Sequence, residues 1–323
     1  MPDSPGRITL WGIEVFVAAA EEGSISAAAR RLGASPSSVS QQLTNLESAL
    51  GVALLMRNTR PMALTHAGEL FRRRASAVLN EASLARAELA MAEGATLTRF
   101  RLGMIEDFEA NVTPRLLTQL AEAMTGCQFL LETGASHFLH DQLDARALDV
   151  VFAAEMGDLP DWAEVHPVLE EGFVVAAPKG AVDAGGDVLA QLKALPLVQY
   201  TTRHYMGRLV ARHLAEQKLT LDHRFELDSY HAILALVGQG AGWTILTPLA
   251  LRRARRFASQ MDVLALPFAP LTRRISVMAR AGMLQDTPAG LADRLRGILK
   301  TDVITPAAAV SDVMGASLRL LEP

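Results

Sequence analysis

Apolar residues at the front of the chain recur every three or four positions, in short runs that end at glycine. Leu10, Ile13, Phe16, Val17 and Ala20 mark one helical face, with Thr9 placed to cap it and Gly23 to stop it. Ala28, Ala29 and Leu32 mark a second face, with Ser26 as the expected cap and Gly33 as the stop. Val39, Leu43, Leu46 and Leu50 mark a third, which Gly51 closes. Ser35 is the expected N-cap there, and Pro36 opens the helix where a missing N–H costs nothing. The link LGAS is a tight turn containing glycine, so helices two and three form a helix-turn-helix candidate. Alternation about Asn58-Thr59-Arg60-Pro61 predicts a small β-wing, completing a first domain over residues 1–64.

A long helix is expected over residues 65–93. Phe71, Ala75, Val78, Ala82, Ala85 and Leu89 follow heptad spacing along about 43 Å. Such a stripe packs on its own domain or against a second copy. The regularity of so long a linker favours the second, a dimer seam. Residues 94–98 read as a hinge. From Arg99 onward, strand patterns such as FRLGMI, CQFLLETG, DVVFAA and RISVMAR alternate with helical ones such as TPRLLTQLAEAM and PAGLADRLRGILK. That alternation predicts an α/β class with mainly parallel sheets. About 200 residues exceed one compact sheet, so two lobes are expected within residues 99–303. The tail, residues 304–323, reads as either a docked helix or a frayed end.

Composition adds bounds. The chain has 323 residues, half of them hydrophobic and a fifth charged, as in a soluble globular protein. No apolar run approaches the roughly 18 residues of a membrane span. The start MPDSPGRITLWG has no basic end leading into an apolar core, so no export signal is expected. Cys127 is the only cysteine, which excludes an intramolecular disulfide. Together these favour the cytoplasm and no membrane partner. The net charge of −4 hides an asymmetry. Residues 30–74 carry seven Arg against Glu47 and Glu69, a balance of +5, while residues 101–323 carry 21 basic and 26 acidic groups, a balance of −5. A basic island on an acidic chain suits phosphate. Yet no Lys or Arg falls between Arg31 and Arg57, the stretch that holds the third helix.

The elements EEGSISAAARRL, SPSSVSQQL, NLESALG and LTHAGELF, preceded by Phe16, resemble the winged helix-turn-helix of LysR-type transcriptional regulators over residues 8 to about 90. One departure is LLMR, where Leu55 stands in place of the usual Phe. FRLGM, LETGAS, LDVVFA, VLEEGFVVAAPKG and LALVGQGAGWTILTP extend the resemblance, more loosely, into that family's effector domain. The resemblance implies a two-lobed domain like periplasmic binding proteins, crossed twice by the chain. The crossings are expected near Val168–Glu171 and Phe268–Thr272, giving lobe I at about 99–168 and 272–303 and lobe II at about 169–271. It also implies homodimers or homotetramers on double-stranded promoter DNA, with RNA polymerase as the downstream contact.

With Val39 and Leu43 inward, Ser37, Ser40, Gln41 and Thr44 face outward, on a surface able to enter a major groove. Gln41 can pair with adenine, the serines with most base edges, and Pro36 with a thymine methyl. Ser26, Ser35, Arg31, Arg57, Arg60 and Thr65 flank that face and suit contacts that position the protein on the backbone. The plain alternative is a solvated helix face.

Ligands of open α/β sheets sit beyond the strand carboxyl ends. The corresponding loops offer Ile105, Glu106, Asp107, Thr133, Ser136, Thr201, Thr202, Arg203, Ser229 and Thr247, each also readable as solvated loop. Arg203 suits a carboxylate, whereas Glu106, Asp107 and Glu109 do not. An amine-bearing or zwitterionic small organic effector reconciles the two. No cofactor or metal is expected. His137 and His140 lack a third ligand at metal spacing, and GQGAG follows a helix and precedes a strand, the reverse of a dinucleotide loop. An enzyme is therefore disfavoured. An architectural DNA-binding protein without a ligand remains the alternative to a ligand-gated regulator. Cys127 heads a strand and reads as buried.

Overall fold

Caps chosen by the sequence fix the first three helices. The computed structural model describes residues 7–57, 59, 61–92 and 97–322, which divide into two compact units, the second starting at Leu97. Arg60, the Leu89 side chain and residues 94–96 of the expected hinge lie outside the described residues.

In the first unit, α1 spans Leu10–Glu22, α2 Ile25–Leu32 and α3 Pro36–Leu50. Thr9 caps α1 by accepting from the Gly12 N–H, and Ser35 caps α3 by accepting from Ser38. Gly23, Gly33 and Gly51 close the three helices at φ of 61°, 62° and 70°, where a Cβ would be strained. The expected cap Ser26 is displaced. Ser24 caps α2 through Ala27, and Ser26 lies inside the helix, exposed. The helix starts two positions earlier because Ser24 has the extended backbone of an N-cap, at φ −158°. Val39, Leu43 and Leu46 pack against Phe16, Val15 and Ala19 of α1, while Leu50 is half-buried at the helix end.

The wing is a hairpin of β1, Leu55–Met56, and β2, Ala63–Leu64, with Leu55 paired to Leu64 and 4% exposed. Leu55 thus fills the core behind the wing. The long helix α4, His66–Ala92, begins against it. Thr65 donates to the Ala53 carbonyl at 2.8 Å and accepts from the Gly68 N–H at 3.0 Å. Gly68 is required there, because a Cβ would overlap the Leu54 carbonyl. The expected seam is shortened at this end. Ala75 is 1% exposed within the unit's own core, and the Phe71 ring packs on Phe16 at 5.3 Å. Two of its residues are spent on holding α4 to the winged domain. Val78 and Ala85 are exposed and Ala82 half-buried.

The second unit is built from β3 Arg99–Ile105, α5 Val112–Ala123, β4 Gln128–Gly134, α6 Ser136–Asp144, β5 Val150–Ala154, β6 Ala163–Gly172, β7 Val174–Pro178, α7 Val188–Lys193, β8 Leu197–Tyr200, α8 Tyr205–Glu216, β9 His223–Leu227, α9 Tyr230–Gly238, β10 Thr244–Leu246, α10 Pro248–Arg253, β11 Met261–Ala265, β12 Thr272–Arg280 and α11 Thr287–Leu299. A π-turn at Lys300–Ile304 leads to α12 Thr305–Val310, α13 Asp312–Ala316 and β13 Leu318–Leu320. One lobe holds a six-stranded sheet ordered β13-β6-β12-β5-β3-β4. The other holds β10-β7-β11 and the pair β8-β9, bridged between Leu197 and Trp243.

The sheets are mixed, correcting the expectation of mainly parallel ones. Parallel pairing joins β3 to β4 and β5, and β8 to β9. The remaining pairs of this unit are antiparallel, because β6 and β12 carry the chain between lobes in opposite directions. The first passage falls at Gly172-Phe173, between β6 and β7, and the second between β11 and β12. The Phe173 N–H donates to the Leu271 carbonyl at 2.8 Å, tying the two passages together. The tail docks rather than frays. β13 pairs with the end of β6, and Arg296 donates to the Leu321 carbonyl at 2.7 Å.

Candidate functional site

Two surfaces gather the candidate residues, one in each unit. On α3, Ser35, Pro36, Ser37, Gln41 and Thr44 are exposed and Ser40 is half-buried. Ser38 and Asn45, also exposed, widen the same uncharged face. Its groups hold one another in place. Gln41 donates to Asn45 Oδ1 at 2.9 Å, Thr44 to the Ser40 carbonyl at 3.0 Å, and the Ser35 and Ser37 hydroxyls lie 3.0 Å apart. These are exchangeable bonds between exposed groups, each replaceable by a base edge without stranding a buried partner.

The flanking residues are less free than their positions suggest. Arg31 donates to Glu21 at 2.5 Å and to Glu22 at 3.4 Å, and the Glu21 bond raises its already high pKa. Arg57 donates to Glu47 at 2.7 Å and to Thr44 at 3.4 Å. The other oxygen of Glu47 accepts from the Leu54 and Leu55 N–H groups at 2.8 and 3.2 Å. Glu47 therefore clamps the wing to α3, and Arg57 completes the clamp. The Thr65 hydroxyl is consumed as the cap of α4. Arg30, exposed and without an ion pair among the described residues, is a cation that periodicity alone did not single out.

The second surface is a small cleft, open to solvent, at the carboxyl ends of β3, β4, β8 and β9. Of the expected residues, Ile105, Glu106, Asp107 and Ser136 line it. Thr133, Thr201, Thr202, Arg203, Ser229 and Thr247 do not. Thr133 is exposed near the end of β4. The Thr201 hydroxyl donates to Glu226 at 2.7 Å, a bond that holds that carboxyl below its usual range, with the Thr202 N–H as second donor. Arg203 is exposed and turns back on Thr201 at 3.4 Å. Ser229 precedes α9 without a side-chain capping bond. Thr247 is fully buried and caps α10. Ser136 lines the cleft but its hydroxyl is engaged, accepting from the Ala154 N–H at 3.1 Å. His140 contacts the Ala154 carbonyl at 2.9 Å, a packing role.

What the strand pattern did not reveal is the charge beneath this cleft. Arg273, on β12, and Glu171, on β6, are cross-strand partners where the two passages meet, with side chains 6% and 0% exposed. Arg273 donates to Glu171 at 2.8 Å, to Asp107 at 2.7 Å and to Thr247 at 3.3 Å. Glu171 also accepts from the Leu249 N–H at 2.7 Å. Burial works against the Arg273 charge, but Glu171 and Asp107 outweigh it and push its pKa up. Burial pushes the Glu171 carboxyl up, opposed by Arg273. Arg253 of α10 answers the rest of the acidic loop, donating to Glu106 at 2.6 Å and Glu109 at 3.0 Å. His137, Tyr200, His204, Tyr205, Asp228 and Tyr230 also line the cleft. The Tyr200 and Tyr230 rings stack at 5.0 Å, and burial raises the Tyr200 phenol to about 12, so it stays a neutral hydroxyl. Among the described residues no group of three or more His, Cys, Asp or Glu is placed to hold a metal.

Residues 10–69 match the bacterial regulatory helix-turn-helix protein of the lysR family, and residues 93–299 match the LysR substrate binding domain. The chain belongs to the LysR family of transcriptional regulators. This LysR regulator is 34% identical over 185 residues to a probable hydrogen peroxide-inducible genes activator of Mycobacterium avium, over 57% of this chain and 59% of that one. It is 27% identical over 247 residues to the DNA-binding transcriptional dual regulator OxyR of Escherichia coli K12, over 76% of this chain and 80% of that one. A full-length OxyR variant from Pseudomonas aeruginosa shares its fold at a TM-score of 0.67 and 22% identity, with 98% of this chain and 99% of that chain covered. The family consists of regulators rather than enzymes, and no described helix of this one is long and apolar enough to cross a membrane.

Proposed function

We propose that this regulator reads promoter DNA with the neutral face of α3 and is gated by a small organic effector in the cleft between its lobes. The exposed, uncharged face of α3 carries this reading, held outward by the buried Val39, Leu43 and Leu46. Gln41, Ser37 and Thr44 read base edges, with Ser40 and Pro36 beside them. Arg31, Arg57, Arg60, Ser26 and Ser35 contact the sugar–phosphate backbone. Val78, Ala82, Ala85 and Leu89 form the seam of a homodimer, which pairs into a homotetramer in the cytoplasm. Effector binding favours one lobe arrangement by its differential affinity, and the paired winged domains change DNA bending at a promoter bound by RNA polymerase.

Footprinting on the DNA upstream of its own gene tests the reading. A protected site made of spaced half-sites is expected, and uniform coverage without sequence preference would reject it. Limited proteolysis with and without metabolites separates a gated regulator from an architectural one, whose cleavage pattern no metabolite would change. Thiol-based peroxide sensing within the cleft has no support here. Cys127 is half-buried rather than buried and lies just before β4, at the end opposite the cleft, and its partial burial, with Asp149 nearby, raises its thiol pKa. A lone thiol also cannot close an intramolecular disulfide.

A further inference from the structure

We infer that the effector bears a cationic amine, seated against Asp107 among the tyrosines of the cleft. This rests on the reading of the cleft as the effector site and names the chemistry that site selects. The leading observation is Asp107. Its side chain is 4% exposed, Oδ2 accepts from Arg273, and Oδ1 is buried with no hydrogen-bond partner among the described residues. A buried acceptor without a donor is costly to keep. Because the carboxyl torsion is soft, Asp107 can hold Arg273 with one oxygen and turn the other to a ligand N–H. His137 Nδ1, also buried without a partner and lining the same cleft, offers a second hydrogen-bonding position.

Charge points the same way. Asp107 and Asp228 line the cleft beside one guanidinium, Arg273, and two histidines, His137 and His204, while Glu106 is already paired with Arg253. The Arg273 cation is already shared by two carboxylates, and Arg203, the anion anchor expected from the sequence, lies outside. A simple carboxylate would find no free guanidinium among these lining residues, whereas an ammonium finds Asp107 Oδ1. The aromatic content agrees. The chain has three tyrosines, and Tyr200, Tyr205 and Tyr230 all line this cleft. Tyrosine faces beside carboxylates are the usual surroundings of a bound amine. Asp107 also reaches the passages between the lobes, the hinge of this domain, through Arg273, whose partner Glu171 sits where the chain passes between lobes. An amine on Asp107 thus competes with or reinforces a bond made at the hinge, which links occupancy to lobe angle.

The test uses the full chain and matched small probes: 2-phenylethylamine, phenylalanine and phenylacetate, with butylamine and butyrate as an open-chain set. Binding is read by ligand-observed NMR at millimolar concentration. The amine and the amino acid are expected to bind at least about tenfold tighter than the matching carboxylate. Asp107→Asn is expected to remove most of that preference. Asp228→Asn, at an exposed position with little folding risk, should weaken the amine about threefold and serves if Asp107→Asn fails to fold by thermal melting. Tighter binding of the carboxylates, with a changed DNA footprint, would overturn the amine inference and leave the effector site standing. Amine binding indifferent to both substitutions would also overturn it. No binding by any probe would reject the inference and the effector reading together.

Discussion

The face of α3 and the floor of the cleft use polar groups in opposite ways. On α3 the groups are neutral, mostly exposed and bonded chiefly to neighbours along the same helix, with Arg57 reaching Thr44 from the wing. Beneath the cleft they are charged, sealed from water and bonded across four separate segments. The first arrangement costs little to break, so an incoming base can take over each bond. The second is costly to disturb, so it has few alternative states and can pass a change at Asp107 to the hinge. Reading a varied partner calls for the first, and holding two lobes in a defined relation calls for the second.

The largest expected effect follows from breaking the second arrangement. Arg273→Met leaves Asp107 and Glu171 buried without their cation and should cost about 3–5 kcal/mol. Urea denaturation followed at tryptophan checks it, and a loss below about 1 kcal/mol would mean the network is more hydrated than its burial implies. On the winged unit the expected effects are smaller. Ser24→Ala removes the cap of α2 and should cost about 1 kcal/mol, while Ser26→Ala should leave thermal stability nearly unchanged. The reverse order would return the cap to Ser26. Arg57→Ala should weaken every DNA sequence alike and lower the salt slope by under about 1, because its charge is already shared with Glu47. A salt titration of binding reads this directly, and a slope change of 2 or more would assign Arg57 more than one phosphate.

Local signals made the winged unit legible. Threonine and serine caps, glycine stops and the Val39–Leu43–Leu46 stripe are set within a few residues of where they act. The one displaced cap, Ser24 against Ser26, reflects two serines of equal chemistry two positions apart. The cleft was legible only by position. Loops after β3, β4 and β8 were expected to meet, and Ile105, Glu106, Asp107 and Ser136 do line the cleft. Arg273 and Glu171 lie 102 positions apart and become partners only through antiparallel pairing of β6 with β12. Nothing in either local pattern marks them. Arg203 illustrates the converse. It follows β8 as expected, but its side chain turns back on Thr201 and does not line the cleft.

The central claim is that neutral contacts from α3 carry sequence reading while charge elsewhere carries affinity. The most direct test compares wild type with Gln41→Ala on a site selected from random DNA and on substituted versions of it. The expected result is a loss of about 1–3 kcal/mol of discrimination at one base pair, with binding to unrelated DNA unchanged. A uniform loss on all sequences, with discrimination intact, would contradict it.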